Sequence, residues 1–142
     1  MKLRGDVLVD NLNIMKGIGS SNELKLKQAG IHSMKDLQEE GFSKRGRTEL
    51  SKKSGITEEL ILSWVNYVDL FRVKGIGDQY AEFLRAVGVD TVMKLARRKP
   101  ENLVAEMAQL NVTERLVRRI PTIRQIENWI DQAGKLPRVI EY

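Results

Sequence analysis

"VKGIGDQY", from Val73 to Tyr80, has a near copy fifty-eight positions earlier, "MKGIGSSN", from Met15 to Asn22. In both places Lys-Gly-Ile-Gly stands just ahead of a stretch with helical spacing. Two glycines around one apolar residue are unfavourable inside a helix, by roughly 1 kcal/mol each. The pattern therefore predicts a tight chain reversal whose backbone takes shapes that other residues avoid. Ile18 and Ile76, between the glycines, are expected to point inward as the pegs that fix each hairpin.

The copy extends well beyond the glycines. At the same offset Leu26 falls on Leu84, Gly30 on Gly88, Ile31 on Val89 and Leu37 on Leu95, without a gap. "GITEELI" at Gly55 resembles "NVTERLV" at Asn111, and "WVNYVDLFRV" at Trp64 resembles "WIDQAGKLPRV" at Trp129. An internal repeat of this length means one structural unit used twice. The second copy carries an extra stretch, "RRIPTIRQIEN", before its tryptophan.

The apolar periodicity is helical. Leu60, Ile61, Trp64, Val65, Val68 and Phe71 recur at three-to-four spacing, which predicts a long helix from Thr57 to Val73. Thr57 and Thr113 are expected N-caps, "SMKD" from Ser33 has capping-box form, and Asp90 or Thr91 would cap the counterpart helix. Pro100 and Pro121 suit first-turn positions. No stretch alternates as a strand does. The reading is all-α, with about nine or ten short helices, arranged as two repeats, 1–72 and 73–142, around a shared core.

The chain has 142 residues, no cysteine, one histidine and a net charge of +5. No apolar run is long enough to span a bilayer, and the start lacks a signal peptide's apolar core. The expected location is cytoplasmic, with no membrane partner. Four of the five net positive charges lie between Thr91 and Tyr142, a bias that invites a polyanion.

Each hairpin leads into a helix N-terminus, where backbone N–H groups lack intrahelical partners and the helix dipole favours an anion. Lys16 and Lys74 add a matching charge. The candidate interface is Lys16, Gly17, Ile18, Gly19 and Ser20 in the first copy and Lys74, Gly75, Ile76 and Gly77 in the second. Lys44, Arg45 and Arg47, beside a flexible Gly46, and Arg97, Arg98 and Lys99 form flanking basic clusters. Such an interface grips phosphates rather than bases. Glu23 stands where the second copy has Ala81, which suggests a looser first hairpin. Asp78 competes with an anion at the second.

"VKGIGDQYAEFLRAVGVDTVMKLA" resembles the helix-hairpin-helix motif. Together with "GITEELILSWVNYVDLFRVKGIG", "LVRRIP" and "LPRVIEY", the chain from about Leu12 onward is similar to an uncharacterised family of tandem helix-hairpin-helix proteins, labelled only as a domain of unknown function. The resemblance implies a SAM-like all-α tandem that contacts DNA through hairpin main chain without reading sequence. It also implies that a monovalent cation can sit at a hairpin, held by carbonyls. No other cofactor is expected.

Trp64 and Trp129 are expected in the core, and Arg72 and Arg138 in structural pairing. Arg118 and Arg119 are placed on a helix, with one exposed and one packed. His32 reads as a turn or capping residue, and one histidine without cysteine lacks the parts for Ser-His or zinc chemistry. The chain is therefore read as non-enzymatic. Asp36, Glu39, Glu40 and Glu49 cluster in sequence, which keeps a metal-dependent nuclease as a weaker reading. The preferred function is non-sequence-specific binding of nucleic acid, with DNA favoured, as an accessory factor. The alternative is a protein-interaction module whose hairpins are only folding devices.

Overall fold

The structure is a computed structural model, described here for residues 18–142; Lys16 and Gly17 of the first hairpin lie outside the described residues. Those residues form eight helices and no strand. None of the helices is long and apolar enough to cross a membrane. The chain divides into two compact units, 1–69 with 138–142, and 70–137.

The first unit carries α1 (Gly19–Gln28), α2 (Met34–Gly41), α3 (Lys44–Ser54) and α4 (Glu58–Leu70, whose last residue belongs to the second unit). Leu26, Ile31, Met34, Leu37, Leu50, Ile61, Trp64 and Val65 are among its buried apolar residues, and α3 packs on both α1 and α2. The starts of α2, α3 and α4 are each closed by a short polar side chain. Ser33 accepts from the Asp36 amide at 3.1 Å, Ser43 from Gly46 at 2.9 Å and Thr57 from Leu60 at 3.2 Å. Each bond satisfies one of the amides that a helix start leaves bare. Asp36 returns the favour by accepting from the His32 amide at 2.9 Å. The last residues of the chain belong to this unit. Ile140 is buried, the Glu141 amide donates to the Phe42 carbonyl at 2.8 Å, and the Tyr142 hydroxyl donates to Asn66 at 2.6 Å.

The second unit carries α5 (Asp78–Ala86), α6 (Val92–Ala96), α7 (Pro100–Glu114) and α8 (Ile123–Lys135). α8 packs along α6 and α7 and buries Ile126, Trp129 and Ala133. The repeated sequence produces repeated local structure. After α1, Gly30 takes φ +95° and the Ile31 amide donates back to Leu26 at 2.8 Å; after α5, Gly88 takes φ +86° and Val89 donates back to Leu84 at 2.8 Å. Both are Schellman endings, with the apolar partners of each pair buried. Thr91, not Asp90, caps α6, accepting from Lys94 at 3.0 Å.

Three expected boundaries fall elsewhere. α4 ends at Leu70 rather than Val73, because Phe71 and Arg72 already turn toward the glycines. Thr113 does not start a helix. α7 begins at Pro100 and runs fifteen residues through it, and the Thr113 hydroxyl bonds back to Leu110. Pro121 lies before Thr122, which is the true N-cap of α8 and forms a reciprocal capping box with Gln125.

Gly46 and Gly75 are required by their surroundings. Gly46 is not a flexible link but sits in the first turn of α3, where a Cβ would lie 1.8 Å from the Glu40 carbonyl oxygen. Gly75 takes φ +102°, and a Cβ there would meet the Trp129 Nε1 at 2.8 Å. Gly46→Ala is expected to lower the unfolding free energy by about 2 kcal/mol through overpacking, where the same change in an open helix interior would raise it by up to about 1 kcal/mol. A fall rather than a rise in the urea midpoint checks this. Gly75→Ala combines a left-handed backbone with a collision against a buried ring, and about 3 kcal/mol should be lost in the same measurement.

Candidate nucleic-acid interface

The second hairpin is a four-residue turn in which the Ile76 amide donates to the Val73 carbonyl at 3.2 Å. The positive φ at Gly75, its third residue, is that of a type II turn. Ile76 is fully buried, so the expected peg is present; burial of such a side chain contributes about 2 kcal/mol. α8 holds the turn from one side. The Lys74 amide donates to Gln132 Oε1 at 2.8 Å, and Gln132 Nε2 donates to the Lys74 carbonyl at 3.0 Å. One side-chain amide thus satisfies both polar groups of one peptide residue. Trp129, three residues earlier on α8, packs under Gly75 and against the Tyr80 ring, with centroids 5.2 Å apart.

What stays available is limited and specific. The amides of Gly75 and Gly77 bond to no other described residue. Gly77 precedes α5 and has no side chain with which to cap it. Lys74 is exposed beside these donors, and Asp78 is the one acid in the first turn of α5. The carbonyls of Val73 and Lys74 already accept bonds from Ile76 and Gln132.

The described part of the first hairpin differs. Ile18 is buried as expected, but α1 starts at Gly19, with φ +75°, one position earlier in register than α5. No side chain caps α1 and its first turn holds no acid. Ser20 is exposed. Glu23, in place of the buried Ala81, turns to Lys27 at 3.2 Å and keeps 21% of its side chain exposed.

The flanking clusters separate into different roles. Arg47 is only 4% exposed, and its guanidinium donates to the carbonyls of Gly41 (2.8 Å), Phe42 (3.2 Å) and Glu141. It ties the end of α2 to the last residues of the chain, and its burial withholds it from a phosphate. The N-terminus of α3 already has an anion, because the Lys44 amide donates to the Glu141 carboxylate at 3.0 Å. Arg45 is exposed and pairs with Glu49. In the other unit Arg97 and Lys99 are exposed, whereas Arg98 pairs with Glu106. Arg72 donates to the Pro137 carbonyl at 3.0 Å. Trp64 and Trp129 are core residues, each 2% exposed.

The acids of the nuclease reading do not converge. Asp36 serves the start of α2, Glu39 pairs with Lys35 and Glu49 with Arg45. Among the described residues no group of three His, Asp or Glu side chains could hold a metal ion. Arg118 and Arg119 are not helical: both are exposed, in the loop between α7 and α8. Together with Arg115 they lie outside the interface that the sequence motifs point to; the extra stretch in the second copy contains Arg118 and Arg119 but not Arg115.

No curated protein and no solved structure matches the chain. Residues 16–136 match the family described as a domain of unknown function, DUF4332. That span takes in both hairpins and every helix described above, and the chain belongs to the DUF4332 family.

Proposed function

We propose that the chain is a tandem helix-hairpin-helix protein that binds nucleic acid, with DNA favoured, through main-chain donors and without reading sequence. The observation that carries this reading is the second hairpin. Gly75 and Gly77 hold amides that bond to no other described residue, next to exposed Lys74 and directly ahead of an uncapped helix start. Backbone amides and a helix dipole favour a phosphate, and glycine lets it come close. The clamp from Gln132 and the buried Ile76 hold these donors in place before a ligand arrives, which lowers the entropic cost of binding. Lys74, Arg97 and Lys99 are the exposed cations of the second unit's part of the interface; Lys44 and Arg45 contribute only general positive charge. A protein-interaction role gains no comparable support, since among the described residues no two of the exposed large apolar side chains, Leu24, Leu60, Val112, Ile123 and Tyr142, share a helix.

Binding to duplex DNA of arbitrary sequence, followed by fluorescence anisotropy from low to moderate salt, tests the proposal. Lys74→Gln is expected to weaken binding several-fold and to reduce the slope of log K against log salt by about 0.9. Asp78→Asn should have the opposite sign. It removes a carboxylate from the phosphate's approach and is expected to tighten binding by roughly two- to fivefold. Absence of binding at low salt, or binding indifferent to both changes in folded variants, overturns the reading.

A further inference from the structure

The loop between α7 and α8 builds a second basic feature. Arg115, Arg118 and Arg119 line a cleft of about 650 Å³ together with Gln79 and Tyr80 of α5 and Asn111 of α7. Among the described residues no carboxylate lines it; Asp78 and Glu114, next in sequence to Gln79 and Arg115, fall outside the lining. None of the three arginines forms an ion pair among the described residues. A cleft of this volume is in the usual range for small-molecule sites.

The loop is held rather than loose. Asn111 takes both polar groups of Val117, accepting from its amide and donating to its carbonyl, each at 3.1 Å. The Tyr80 hydroxyl donates to the Arg119 carbonyl at 3.3 Å, and Pro121 is buried beyond it. Arg115 has φ +47° and ψ +47°, the one left-handed residue other than glycine among the described residues. Glycine is the usual occupant at such a helix end. An arginine there keeps a charged side chain at the cleft at the expense of backbone strain.

We infer that this cleft is a binding site for a phosphomonoester of nucleotide size. Guanidinium groups recognise phosphate oxygens in paired hydrogen bonds, and three of them around one space without an acid call for a ligand with more than one negative charge. A terminal phosphate carries up to two, whereas a phosphodiester within a strand carries one. The remaining volume and the polar side chain of Gln79 leave room for the nucleoside. The source is either the phosphorylated end of a strand or a free mononucleotide. The inference rests on the nucleic-acid reading only where the first source is concerned.

Anisotropy of the full chain with three probes separates the cases: a 5′-phosphorylated single-stranded oligonucleotide, the same strand with a 5′-hydroxyl, and fluorescent adenosine monophosphate. The phosphorylated strand should bind about tenfold tighter than the hydroxyl strand, and inorganic phosphate should compete. Tight capture of the mononucleotide without a strand preference assigns the site to free nucleotide instead. In the double variant Arg118→Gln, Arg119→Gln, the phosphate-dependent part should fall tenfold or more. Arg115→Gly supplies a control that a structural role would not pass: relief of strain should raise the thermal midpoint by roughly 2–6 °C, while phosphate-dependent affinity falls. Equal binding of phosphorylated and hydroxyl probes, or affinity unchanged in both variants, overturns the site. Lys74→Gln should lower binding of both strands in equal proportion, so failure of the hairpin reading and failure of this one are distinguishable.

Discussion

Within the second unit, the constraint on which the candidate interface depends is a peptide-like exchange between Gln132 and Lys74. A hairpin of two glycines has little enthalpy of its own and more conformational entropy to lose than any other turn. Here its shape is imposed from outside. Gln132 accepts from one peptide group and donates to the next, Trp129 fills the space that a side chain at Gly75 would need, and Ile76 anchors the far side in the core. Trp129 and Gln132 are three residues apart and so share one face of α8. Among the described residues the amides of Gly75 and Gly77 remain unbonded, because the contacts that fix the turn use other atoms. Rigidity and availability are compatible for that reason.

The two copies of the repeat have diverged in charge more than in backbone plan. The Schellman endings at Gly30 and Gly88 and the hydroxyl caps at Ser33 and Thr91 are the same devices twice. The polar surroundings differ. In the first unit the chain's own terminus occupies the places an anion would want: Glu141 caps α3 and Arg47 is consumed by three carbonyls. In the second unit the longer connection into α8 brings three arginines to one cleft and no acid to answer them.

The pattern of agreement follows the range of the interactions concerned. Trp64, Trp129, Ile18 and Ile76 were legible as core because burial follows from apolar character at helical spacing, whatever packs against it. Ser33 and Thr57 were legible as caps because the bond spans three residues. Thr113 and Pro121 misled because the same local signals compete, and a proline-started helix with good formers through its length overrode a second start at Thr113. Arg118 and Arg119 were placed on a helix for the same reason, since nothing in "LVRRIP" announces the left-handed Arg115 that ends α7.

By itself, the sequence determined an all-helical chain with a glycine turn at Gly75, the inward apolar set and most helix starts, since each of these depends on neighbours within a few positions. Only the tertiary structure decided which cations are free. Arg47 and Arg118 are alike as letters, yet one is enclosed by carbonyls from residues up to ninety-four positions away, and the other is exposed beside a cleft. Charge is carried by the residue, but its availability is settled by partners distant in the chain, and only the packed chain brings those partners together.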